Sequence, residues 1–119
     1  MTENRGLKDF GGGSVIQIET LTEAANRLSA TFHPQRIILF GSQARGTADS
    51  HSDADILVIC PVEGNRRKMM TEMDRALHGL CLARDIMVLT PEEYERDKWI
   101  PGTLARYASL EGKVLYERG

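Results

Sequence analysis

Two short apolar runs on either side of one polar loop constrain this chain more than any other feature. Arg36-Ile37-Ile38-Leu39-Phe40 is apolar after its first residue, and Asp53 to Cys60 is apolar from Ala54 onward except for Asp55. Short, nearly unbroken apolar runs predict strands buried on both faces. In the second run Ala54, Ile56, Val58 and Cys60 point one way, and Asp53, Asp55, Leu57 and Ile59 the other. The loop between them belongs to GSQARGTADSHSDAD, Gly41 to Asp55. It opens on a Gly-Ser pair and ends on two aspartates one residue apart.

A sheet buried on both faces needs helices to cover it, and the flanking sequence supplies them. Leu21, Ala24, Ala25, Leu28 and Phe32 follow helical spacing behind Thr20-x-x-Glu23, which reads as a capping box. This helix is expected to stop before Pro34. Met69, Met70, Met73, Ala76, Leu77 and Leu80 form a second helical stripe between about Asn65 and His78. Asp85 to Leu89 reads as a third strand. Thr90-Pro91-Glu92-Glu93 opens another helix with a cap, a proline in the first turn and an acid at the third position. Pro101-Gly102 breaks the chain, Thr103 to Leu110 is a last short helix, and Val114 to Tyr116 an edge strand. The order α-β-β-α-β-α-α-β predicts an α/β fold, a small mixed sheet with helices packed on it. Residues 1–14, with Gly11-Gly12-Gly13, are expected to form a flexible arm ahead of one domain over 15–119.

Composition narrows the class. A chain of 119 residues with a formal charge of -2 is not a general nucleic-acid magnet, so direct nucleic-acid binding is not expected. Arg66-Arg67-Lys68 reads as a solvated helix face. Cys60 and Cys81 match no metal or redox spacing and sit among apolar neighbours. No apolar run approaches membrane-spanning length. A cytoplasmic protein with reduced thiols and no membrane contact is the expectation.

The loop carries the chemistry. Residues one apart in a strand share a face, with alpha carbons roughly 6.6 Å apart, so Asp53 and Asp55 can converge on one hard cation such as magnesium. Without a cation they repel. If the first two strands pair antiparallel, the Gly-Ser turn and the aspartates fall at one sheet edge. A right-handed crossover would make the third strand parallel to the second and bring Asp85 to that edge. The competing role for Asp85 is a strand-entry acid near Arg84. Gly41 lets a ligand approach the backbone, and Ser42 can cap the turn that follows and meet a phosphate. Arg45 either joins that phosphate contact or ties the loop to Asp49 or Asp53. His51 reads as an ordinary loop histidine, and His33 and His78 as helix-end caps. Trp99, Tyr94 and Tyr107 suit core or interface packing better than stacking on a base.

The pattern Gly41-Ser42, ten residues, Asp53-Ala54-Asp55 resembles the signature of the polymerase-beta-like nucleotidyltransferase superfamily. GSQARG followed by SDADILV looks most like its minimal bacterial and archaeal members. The resemblance extends from about Ile37 to Tyr116 and is weaker outside the signature. It implies that Gly41 and Ser42 hold a triphosphate and that Asp53, Asp55 and Asp85 bind metal and serve catalysis. It implies transfer of a nucleoside monophosphate, AMP from ATP, to an acceptor hydroxyl with two magnesium ions. It further implies a HEPN-domain partner in a toxin–antitoxin pair, with a homodimer as another assembly. The alternative is an antitoxin that has lost catalysis and acts by contact.

Overall fold

The computed structural model describes residues 18–41 and 53–118. The expected flexible arm and most of the polar loop, with Ser42, Arg45 and His51, lie outside the described residues. The elements are α1 (Ile18–Phe32), β1 (Arg36–Phe40), β2 (Ala54–Ile59), α2 (Arg66–Ala76), β3 (Arg84–Leu89), α3 (Pro91–Asp97), α4 (Leu104–Glu111) and β4 (Lys113–Glu117). The strands form one sheet in the order β3-β2-β1-β4. β1 pairs antiparallel with both β2 and β4, and β2 pairs parallel with β3. These are the pairings that the crossover argument requires.

Burial on both faces explains why the apolar runs became the central strands. One face of the sheet presents Ile37, Leu39, Ile56, Val58, Ile86 and Val88 to Leu21, Ala25 and Leu28 of α1 and to Met73 and Leu77. The other presents Ile38, Phe40, Leu57 and Ile59 to Tyr94 of α3 and to Ala105 and Ala108 of α4. Within β2 every residue is buried except Asp55. Tyr94, 4 % exposed, is therefore core. Trp99 stands 70 % exposed in the α3–α4 connection, outside the core altogether.

Local chemistry sets the helix boundaries. Asn65 caps α2, its side chain accepting from Lys68 N–H at 2.9 Å. Thr90 and Glu93 close a reciprocal capping box on α3, with Glu93 N–H donating to Thr90 Oγ1 at 3.1 Å and Thr90 N–H to Glu93 Oε1 at 2.9 Å. The second Glu93 oxygen accepts from Arg66 at 2.7 Å, and Arg66 also donates to Val88 O at 3.3 Å. Arg66 thus straps α2 to the outer strand and to α3 while its side chain stays partly exposed; Arg67 and Lys68 are exposed as expected. Thr20 is another correction. It lies inside α1, which already includes Ile18 and Glu19 ahead of it. Cys81 is exposed, while Cys60 is buried and its thiol pKa is pushed up by that burial. Among the described residues no helix is long and apolar enough to cross a membrane.

Candidate active site at one sheet edge

β1 ends and β2 and β3 begin at the same edge of the sheet. The register places Phe40 opposite Asp55, and Asp55 beside Asp85. Neighbouring strands lie about 4.8 Å apart, so Asp55 and Asp85 are adjacent on one face. Asp53 is one residue ahead of β2 and, by strand alternation, projects to that face too. Ala54 N–H donates to Ala83 O at 2.8 Å, which locks the start of β2 to the start of β3. Asp53 and Asp85 are exposed and Asp55 is half-buried. The acids occupy the face that carries α3 and α4, beyond the end of its apolar cluster.

This placement sets the electrostatics of Asp55. Burial pushes the Asp55 carboxyl above the ordinary aspartate value of 3.8, and the negative charges of Asp85 and Asp53 push it further the same way. The competing role for Asp85 is not what Arg84 does. Arg84 pairs with Asp74 at 2.9 Å and donates to the carbonyls of Leu82 and Asp74. Its guanidinium is committed to the C-terminal part of α2.

Gly41 closes the site on the β1 side. It is buried, with φ +80°, a backbone conformation that favours glycine. A Cβ there would collide with Asp55 Oδ2 and lie 3.2 Å from Asp55 Cγ. Sequence reasoning missed Phe40, the last apolar residue before that turn. Its ring lies opposite Asp55 and meets Tyr107 of α4 edge-on, with centroids 5.7 Å apart and planes at 86°. Phe40 therefore contributes apolar surface beside the half-buried carboxyl.

The donor set suits a hard cation, because it is all carboxylate oxygen and the charges repel without one. Among the described residues no three His, Cys, Asp or Glu side chains form a ready-made metal cage. The three aspartates thus share a sheet edge without forming such a cage, and a magnesium ion on one or two of them would draw the rest of its shell from water and substrate phosphates.

The raised Asp55 pKa has a consequence for stability. Between 3.8 and the folded value the native protein binds more protons than the unfolded chain. The Asp55 contribution is thus complete below the unfolded value and is lost as pH rises through the folded one. In metal-free buffer, Asp55→Asn is expected to be stabilised relative to wild type at about pH 7, with the gap shrinking toward about pH 3.5. Urea unfolding of both proteins at the two pH values checks this. A gap independent of pH would contradict the assigned environment.

The sequence profile described as a nucleotidyltransferase domain matches residues 18–116. No curated protein matches the chain. Its structure is similar to that of a Sulfolobus solfataricus protein provisionally named a nucleotidyltransferase, with TM-score 0.61 and 21% identity, over 99% of this chain and 93% of the other. It is also similar to a chain of a toxin–antitoxin complex with AMP-PNP, with TM-score 0.52 and 21% identity, over 82% of this chain and 73% of the other. Those two likenesses bear on the fold, and both agree with a mixed sheet carrying helices on its two faces. With the profile covering most of the sequence, from α1 to β4, the chain belongs to the nucleotidyltransferase domain family.

Proposed function

We propose that this protein transfers a nucleoside monophosphate, AMP from ATP, to an acceptor hydroxyl on a partner protein, in the manner of an antitoxin that modifies its toxin. The observation that carries this reading is the meeting of Asp53, Asp55 and Asp85 at one sheet edge beside the Gly41 turn. Asp53, Asp55 and Asp85 would hold magnesium. When bound, that ion supplies positive charge against the phosphates and the departing pyrophosphate.

The residues of the chain have separable tasks. Asp85, exposed and in register with Asp55, takes the proton from the acceptor hydroxyl. The acceptor oxygen then bonds to the α-phosphorus, and the bond from that phosphorus to the pyrophosphate oxygen breaks. Gly41, with Ser42 and Arg45 of the loop that follows, takes the triphosphate side. The choice of ATP and of a protein acceptor is supported by the similar fold found in a toxin–antitoxin complex with AMP-PNP. A HEPN-type toxin is the partner we assign.

The test uses ATP labelled on its α-phosphate, magnesium and a co-encoded HEPN-type protein. A mass increase of one AMP on that partner, with release of pyrophosphate, is the expected result. Inhibition of the partner with no label transferred would favour a contact-acting antitoxin. Absence of both would sink the proposal.

A further inference from the structure

Four glycines in the described chain adopt left-handed backbone: Gly41, Gly64, Gly79 and Gly102, with φ of +80°, +79°, +93° and +89°. A Cβ at Gly64, Gly79 or Gly102 would meet nothing within 4 Å. At Gly41 it would meet Asp55 Oδ2 first, then Cγ at 3.2 Å and Cβ at 3.5 Å, and each of those atoms belongs to one side chain. The other three glycines thus answer only to backbone conformation. Gly41 answers to backbone conformation and to a carboxylate.

We infer that Gly41 is a positioning residue for Asp55: the space left by its missing side chain is the seat in which the Asp55 carboxylate rests. The register explains why. Phe40 lies opposite Asp55, so the next residue of the chain passes the carboxylate as β1 ends. The left-handed turn at Gly41 directs the bare alpha carbon toward that carboxylate. Asp55 is also the one residue of β2 that is not fully buried, so the core does not hold its side chain on every side. A methyl group at position 41 would expel the carboxylate from its seat and rotate it away from Asp85 beside it. Glycine at this position therefore serves the acid directly, which is a different task from admitting a phosphate to the backbone.

The first arm of the test is independent of function. Gly41→Ala, Gly64→Ala, Gly79→Ala and Gly102→Ala are compared by urea unfolding of the full chain without metal. The last three report the effect of placing alanine in left-handed backbone. Gly41→Ala is expected to lower the folding equilibrium constant by roughly a further tenfold, a typical result of overpacking. In an Asp55→Ala background that excess is expected to disappear. If Gly41→Ala alone fails to fold, the double variant is expected to fold. Equal losses at all four glycines, an excess that persists without the Asp55 carboxylate, or a double variant that also fails to fold would each overturn the inference.

The second arm rests on the proposed function. ATP is titrated with magnesium and with a chelator. Gly41→Ala is expected to lose the magnesium-dependent gain in affinity, so that its affinity with the ion falls to its affinity with the chelator, whatever that value is. An intact magnesium-dependent gain in Gly41→Ala would overturn the assignment. If wild type shows no magnesium-dependent gain, the functional reading fails while the unfolding arm still decides the role of Gly41.

Discussion

Replacing Asp53 and Asp55 together with asparagine is expected to abolish magnesium-dependent ATP binding while the fold remains intact. The two side chains are nearly isosteric with their replacements, and neither acid belongs to an apolar cluster. On the proposed function, the lost quantity is the charge that would hold the cation. Magnesium with two carboxylates contributes several kcal/mol of transition-state charge stabilisation, so transfer should fall by roughly a thousandfold or more. Removing the half-buried Asp55 charge, whose burial and acidic neighbours raise its pKa, should leave the double variant at least as stable as wild type near neutral pH. Titration calorimetry with and without magnesium, paired with urea unfolding, separates the two effects. Unchanged nucleotide affinity in a folded double variant would remove the metal assignment.

The second large effect lies in the core beneath that site. Leu57→Ala is expected to destabilise the protein by about 2–5 kcal/mol, the usual range for a large buried aliphatic side chain. Leu57 is fully buried at the centre of β2 and belongs to the cluster that joins the sheet to Tyr94, Ala105 and Ala108. That cluster is the smaller of the two, so a void there has few neighbours to fill it. Total stability for a domain of this size is about 5–15 kcal/mol, so one such void can remove a large part of it. Thermal and urea unfolding measure the loss. A cost below about 1 kcal/mol would show that α3 and α4 collapse onto the gap, since the penalty depends on how well a site relaxes.

Much of this architecture is legible from side-chain periodicity, because burial dictates where apolar residues recur. β1 and β2 stand out as unbroken apolar runs, and the pairing of β2 with β3 follows from the handedness of crossovers. The Thr90 capping box is readable because its two reciprocal hydrogen bonds join Thr90 and Glu93, three residues apart. The misreadings share a physical cause. At Thr20 the capping pattern is present, but α1 already includes Ile18 and Glu19, so Thr20 is a helical residue and not the cap. Arg66 looked like a surface charge because its partners, Glu93 and Val88 O, are 27 and 22 residues away. The site shows the same division. Asp53 and Asp55 are adjacent in sequence, so their shared face can be read directly. The contact between Gly41 and Asp55 depends on the register of β1 against β2, which no local pattern reports.

The parallel pairing of β2 with β3 also governs when the site comes into being. Asp55 meets Phe40 through an antiparallel neighbour that the chain reaches across one loop. It meets Asp85 only after α2 has crossed over and β3 has docked beside β2. Non-local pairings of this kind are slow steps in folding, since the chain must close a long loop before any contact rewards it. A chain emerging from the ribosome can therefore complete β1 and β2 and still hold an unfinished set of acids. Assembly of the sheet itself completes the candidate site: a half-made or misregistered copy has the same aspartates but not the shared edge that brings Asp85 beside Asp55.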